Sequence, residues 1–131
     1  MLGWVGDIER VTLDNETFRT VLFTGEHTQL TVMRLMPGED IGREAHHNRD
    51  QFLRIEQGRG RVEFGQSAEG VDETHEVEDD WAIIVPAGVW HNVVNTGSEE
   101  LKLYSLYSPP EHPDGTVHRT KADAEAAEHG D

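Results

Sequence analysis

Glycine and proline interrupt this chain at short intervals, and apolar segments of four to eight residues fill the spaces between them. Segments of this length, bounded by turn residues, are typical of strands rather than helices. Helical character is confined to an Ala- and Glu-rich stretch at 121–128. The pattern therefore predicts an all-β domain, an antiparallel sandwich or barrel. The predicted strands cover residues 18–23, 29–36, 51–56, 61–64, 74–77, 82–85, 91–94 and 101–107.

The length of 131 residues is that of one domain with a single core. We expect a barrel over residues 1–120 and a short C-terminal tail over 121–131. A helix at 121–128 is too short to be stable alone, so it is either docked on the barrel or frayed.

The charge of the chain excludes several classes of partner. Eleven Lys and Arg stand against 26 Asp and Glu, which gives a formal net charge of −15. Such a field repels phosphate backbones and anionic lipids, so we expect neither nucleic-acid nor membrane binding. Because cysteine is absent, zinc ribbons, iron–sulfur clusters and thiolate nucleophiles are excluded. The acidity is that of an ordinary soluble protein or of one adapted to a salty cytoplasm.

The start of the chain, MLGWVGDIER, lacks the basic and apolar regions of a secretory signal. No run of 18 apolar residues is present either, so no segment is expected to span a bilayer. A cytoplasmic location is the resulting expectation.

Ligand-type side chains recur at intervals that suit a barrel interior. Glu44 and His46 project from one face of a strand end, and His47 projects from the other, so a one-residue slip would exchange the two histidines. Gln51 begins the next strand on the inward face, where a polar side chain needs a partner. His91 follows a proline–glycine turn at the head of a later strand.

These two segments resemble the paired motifs of the cupin superfamily. The first motif is matched by Gly38, five residues, Glu44-Ala-His46, four residues, Gln51, six residues and Gly58. The second is matched by Asp80, five residues, Pro86-Ala-Gly88, two residues, His91, three residues and Asn95. Asp80 replaces the usual opening glycine, which we expect to affect only a turn. The resemblance implies a single-domain jelly-roll barrel, the cupin double-stranded β-helix.

The resemblance also implies one divalent metal ion, Fe, Mn, Ni or Zn, bound by Glu44, His46, Gln51 and His91. Cupins usually use three histidines and one glutamate; here Glu44 stands at the first histidine position and Gln51 at the glutamate position. Some cupins that act on uronate sugars also carry glutamine there. Small cupins commonly pair their N-terminal strands, so we expect a homodimer through an apolar edge at 18–23.

Three functions remain open for such a protein. The first is metal-dependent isomerase or lyase chemistry on a sugar or keto acid, with Glu44 as catalytic base. The second is a metal-dependent dioxygenase of an enol or diketone, and the third is a non-catalytic barrel that binds a small molecule. His112 and His118 flank a Pro- and Gly-rich ending, which is either an extended tail or a lip over the barrel mouth.

Overall fold

A computed structural model of the chain describes residues 2–129 and has two antiparallel sheets. One sheet has six strands in the order β6-β3-β8-β2-β1-β9, and the other has three in the order β5-β4-β7. The predicted all-β jelly roll is thus confirmed. The elements are α1 (Ile8–Asp14), β1 (Arg19–Thr24), β2 (Gln29–Leu35), β3 (Asp50–Gln57), β4 (Arg59–Gly65), β5 (Glu73–Glu78), β6 (Ala82–Val85), β7 (Trp90–Asn95), β8 (Leu101–Ser108), β9 (Val117–His118) and α2 (Lys121–His129).

The hydrophobic core lies between the inner faces of the two sheets. Met33, Leu103 and Ile55 stand side by side on β2, β8 and β3, and all are fully buried. Val62 and Val93 face them from the smaller sheet. Burying each of these side chains contributes about 1.5–3 kcal/mol to folding. The core fills the middle of the barrel.

Helix α1 was not anticipated from the sequence. The Asp7 side chain caps it by accepting a hydrogen bond from the Arg10 backbone N–H at 3.2 Å. The helix packs against β8, β3 and β2, and the Leu13 carbonyl accepts a hydrogen bond from the Lys102 ammonium. Seven residues are too few to show a helical period clearly. Neither α1 nor α2 has the length and hydropathy needed to cross a membrane.

The chain after β8 returns along the barrel, and this corrects one expectation. Strand β9 pairs with β1, with Arg19 opposite His118, and the Val21 N–H donates to the Thr116 carbonyl at 2.9 Å. The apolar edge predicted at 18–23 is therefore covered by the chain itself. The homodimer stays a prediction, and the edge at 18–23 no longer supports it.

Helix α2 docks on the barrel, because Ala124 is only 4% exposed and belongs to the core cluster. Of the two alternatives for this segment, the docked helix is the one observed.

Two turns show why the motif residues stand where they do. Gly58 has φ of 102°, and a Cβ there would lie 2.9 Å from the Glu100 carbonyl oxygen. Both conditions favour glycine. Asp80 also adopts a left-handed conformation, with φ of 73°, which aspartate tolerates better than most residues. The replacement of the opening glycine is therefore absorbed within the turn before β6, as expected.

Candidate metal site

Backbone pairing brings the two predicted ligand segments together. Glu44 and His91 form an isolated antiparallel bridge, in which each N–H donates to the other residue's carbonyl at 3.0 and 2.9 Å. The His46 carbonyl accepts a hydrogen bond from Gly88 N–H at 2.8 Å, within the turn before β7. The segment between β2 and β3 is thereby held along β7.

The side chains of Glu44, His46 and His91 meet at one end of the barrel. Glu44 Oε1 lies 3.3 Å from His46 Nε2 and 3.8 Å from His91 Nε2. One ligand atom from each of these residues lies within 4.8 Å of the others. Ligand atoms at this separation can reach one ion at about 2.0–2.2 Å after small shifts. Glu44 forms only an isolated bridge, so residues 44–46 are not the predicted strand end; His47 lies exposed in the turn that follows, whereas His46 faces the cluster.

Gln51 faces the interior from the other sheet. It is 2% exposed and stands in register beside Tyr107, whose ring lies edge-on to His46 at 5.7 Å between centroids. Its buried Oε1 has no hydrogen-bond partner among the residues that the structure describes. All four predicted site residues therefore lie at the same end of the barrel.

Two buried acceptors without a partner, His91 Nε2 and Gln51 Oε1, indicate whether these residues suit a cation. His91 Nδ1 lies 3.1 Å from the Val89 carbonyl, and His46 Nδ1 lies 3.2 Å from Glu111 Oε2. With Nδ1 directed there, Nε2 of each ring faces the cluster: it is a lone pair in the neutral His91 ring, and in His46 it carries the proton shared with Glu44 at 3.3 Å. Nε2 of His91 and Oε1 of Gln51 have no hydrogen-bond partner in the described part of the chain. Buried acceptors left in this way fit a cation.

Glu111 is a site residue that the sequence analysis missed. It contacts His46 Nδ1 and is held in turn by an ion pair with Arg49. It stands on the segment that follows β8, more than 60 residues from His46 along the chain. No spacing rule links two such positions. A carboxylate behind a metal-binding histidine fixes the ring and raises its basicity.

Gln29 holds this segment, residues 108–113, against the barrel. Its buried amide oxygen accepts from the N–H groups of Glu111 and His112 at 3.2 and 2.9 Å. Its amide nitrogen donates to the His112 carbonyl at 2.7 Å. The His112 ring packs edge-on to Tyr107, with centroids 5.2 Å apart. Residues 108–113 thus form a wall beside the cluster, and their role as a lip over the barrel mouth stays a prediction.

The ionisation of the cluster follows from burial and from the two carboxylates. Burial favours neutral His46, but Glu111 and Glu44 outweigh it and raise the pKa of that ring to about 9. Burial lowers the pKa of His91. Burial also acts to raise the pKa of Glu44, yet the hydrogen bond and charge of His46 prevail and lower it. The metal-free site therefore holds, at neutral pH, an ionised Glu44 carboxylate beside a protonated His46 ring and a neutral His91 ring.

A jelly-roll barrel with a buried carboxylate, two imidazoles and an amide at one end defines a class of small β-barrel proteins with an interior polar site. The model of the Cupin domain family matches residues 31–107, more than half of the chain, so the chain belongs to the cupin family.

Individual relatives agree with this assignment. The chain is 62% identical to YrkC of Bacillus subtilis (strain 168) over 125 residues, which cover 95% of this chain and 67% of YrkC. The crystal structure of BH2720 from Bacillus halodurans superimposes with a TM-score of 0.93 at 54% identity, covering 94% of this chain and 93% of that one. The structure of KdgF from Halomonas shares the fold alone, with a TM-score of 0.62 at 20% identity and coverage of 71% and 78%.

The affinity of the site for a divalent metal should rise with pH. In the metal-free protein the pKa of His46 is about 9, so at pH 7 the ring carries a proton that a metal must displace. We expect Mn²⁺ affinity to rise about tenfold from pH 7 to pH 8, and to level off near the pKa. Calorimetry in two buffers of different ionisation enthalpy should count about one proton released per ion. An affinity that is flat between pH 7 and pH 8 would contradict this.

Removing the charge of Glu111 should weaken metal binding without removing a ligand. Glu111→Gln keeps the size of the side chain but takes away the carboxylate that faces His46 Nδ1. We expect the metal Kd to rise by about 10- to 100-fold, as for other residues behind a metal ligand. Competition between the protein and a chelating dye for the metal measures this Kd. The control is Glu100→Gln, which removes a carboxylate paired with Arg34 at the surface. Equal effects of both substitutions would refute the positioning role.

Proposed function

We propose that this protein binds one divalent cation, Fe, Mn, Ni or Zn, through Glu44, His46, Gln51 and His91, and uses it in isomerase or lyase chemistry on a small sugar or keto acid. The observation that carries the proposal is the pair of buried acceptors, His91 Nε2 and Gln51 Oε1, which have no partner among the described residues and lie at the same end of the barrel as the Glu44 carboxylate. Leaving each of them unpaired in the interior would cost about 1–3 kcal/mol. A cation bound by them and by Glu44 removes that cost.

The bound cation would act as a Lewis acid on a substrate carbonyl or hydroxyl. Glu44 supplies the other requirement, a base beside the activated group. Its side chain is 28% exposed, whereas those of His46 and His91 are 9% and 1% exposed. Of the three, Glu44 is thus the group that an entering molecule reaches. It takes a proton from the carbon next to the carbonyl and returns it to a neighbouring atom.

The protein also shields this chemistry from water. Tyr107 and Gln51 close the floor from the six-stranded sheet, and both are buried. Glu111 and Arg49 stand at the rim, where about a quarter of each side chain is exposed.

A surface depression of about 530 Å³ lies at the opposite end of the three-stranded sheet, lined by Arg59, Trp81 and their neighbours, and shares no lining residue with this site.

Proton exchange in heavy water tests the proposal. Protein loaded with Mn²⁺ is incubated in D₂O with keto sugars, uronates and diketones, and NMR follows deuterium uptake while an electrode follows oxygen. Deuterium uptake that needs the metal and consumes no oxygen is the expected result. Oxygen consumption without exchange would replace the proposal by a dioxygenase. Ligand binding that ignores the metal, with neither signal, would leave a non-catalytic binding barrel.

A further inference from the structure

Three buried polar atoms near the cluster remain unexplained by a cation. Arg19 Nε, Tyr107 Oη and His112 Nε2 have no hydrogen-bond partner in the described part of the chain. A guanidinium N–H and a phenol O–H are donors, and a guanidinium carries the wrong charge to approach a metal. Arg19 Nε and Tyr107 Oη therefore need an acceptor, and His112 Nε2 can donate or accept. The interior therefore presents two chemically different sets of unpaired polar atoms, one suited to a cation and one suited to a group that accepts hydrogen bonds.

Arg19 is a buried cation on the inner face of the barrel. It is 4% exposed and stands in register with Met33, one of the fully buried core residues. Among the residues that the structure describes, no carboxylate oxygen lies within 4 Å of its guanidinium; its Nη1 lies 3.3 Å from His118 Nδ1. A buried charge without a counterion is costly, and proteins retain one where a ligand supplies the opposite charge.

The three atoms belong to one neighbourhood beside the metal cluster. The Tyr107 ring lies between those of His112 and His46, at 5.2 and 5.7 Å between centroids. Tyr107 carries a phenol O–H that can donate. Burial lowers the pKa of His112 to about 4, and Arg19 is the charge that lowers it further, so His112 adds no charge of its own.

We propose that Arg19 and Tyr107, with His112 beside them, bind the carboxylate of a small monocarboxylic acid whose other oxygens reach the metal cluster. The planar guanidinium fork matches a carboxylate, and the phenol supplies a further donor. Glu44 and Glu111 face the same interior and disfavour an anion of higher charge, such as phosphate. This inference rests on the proposed function and narrows its substrates to acids, such as uronates or keto acids, over neutral sugars.

Matched ligand pairs that differ in the carboxylate test the inference. Calorimetry measures galacturonate against galactose, and lactate against propane-1,2-diol, with Mn²⁺-loaded and with EDTA-stripped wild-type protein. The acid of at least one pair should bind about tenfold or more tightly than its neutral partner. Arg19→Met should reduce that preference to within about twofold. Arg34→Met is the control, because Arg34 pairs with Glu100 outside the site, and should keep the full preference.

Each other result overturns the inference. Equal binding of acid and neutral ligand by the wild-type protein, or no binding of either acid, would overturn it even if Arg19→Met does not fold. A preference that survives in Arg19→Met, or inorganic phosphate displacing the acid at equal concentration, would also overturn it. Elemental analysis separates this from the proposed function. Bound metal without acid preference defeats the inference alone, and acid preference without bound metal defeats the proposed function alone.

Discussion

Replacing His91 with alanine should leave the protein almost free of metal. The substitution deletes a buried imidazole whose Nδ1–H is already fixed on the Val89 carbonyl and whose Nε2 faces Glu44. No other nitrogen ligand in the described interior can take its place, since His112 is turned toward Tyr107. Elemental analysis of protein purified without chelator should fall from about one equivalent of metal per chain to below about one tenth.

The neighbouring positions supply graded controls for this prediction. His46→Ala should remove the metal equally, whereas His47→Ala should retain it, because His47 is exposed and points away from the cluster. Gln51→Ala should weaken binding less, because an amide oxygen is the poorest ligand of the set. Gln51→Glu should tighten metal binding by placing a charged oxygen at position 51. Loss of metal in His47→Ala and retention in His46→Ala would contradict the proposed ligand set.

Glu44→Gln should abolish most of the proton exchange while leaving an oxygen ligand in place. The amide retains a carbonyl oxygen near His46 Nε2 and His91 Nε2 but cannot accept a proton from substrate carbon. We expect the rate of deuterium uptake per bound metal ion to fall by about 10²- to 10⁴-fold, the usual loss on removing a general base. NMR of the best substrate of the panel measures that rate, with the metal content determined on the same sample.

Glu63→Gln provides the matched control, because Glu63 pairs with Arg61 on β4 and lies outside the site. It should exchange at the wild-type rate. If Glu44→Gln also exchanges at the wild-type rate while holding its metal, another group is the base and Glu44 serves only as a ligand.

The barrel was predictable because its signals are local. Four to eight consecutive residues are enough to indicate each strand. The Gly, Pro, Asn and Asp residues between strands indicate turns, because each of them favours a particular backbone conformation. The segment 44–51 could be assigned an inward face because side chains alternate along a strand. Alternation placed Gln51 correctly, because β3 is a strand there, whereas the choice of His46 over His47 came with the motif spacing of the cupin resemblance.

What the sequence did not reveal depends on contacts between distant parts of the chain. Glu111 serves His46 only because Gln29, on another strand, holds the segment that carries it. In the sequence, Arg19 is one basic residue within an apolar strand. Its burial depends on the pairing of β9 with β1, which the sequence does not indicate. Helix α1 is short, and β9 has two residues, so neither spans a full period of its own pattern.

The attachment of the wall by Gln29 bears on how such proteins diversify. The residues expected to hold the cation lie within the stretch 31–107 that defines the family, whereas Glu111 and His112 lie beyond it. The amide of Gln29, at the start of β2, holds the segment with Glu111 and His112 on the barrel through three hydrogen bonds. Exchange of the segment after residue 107 would give the same reactive centre a new lining. Two proteins with the same barrel and the same metal ligands would then differ in the small molecules that they bind.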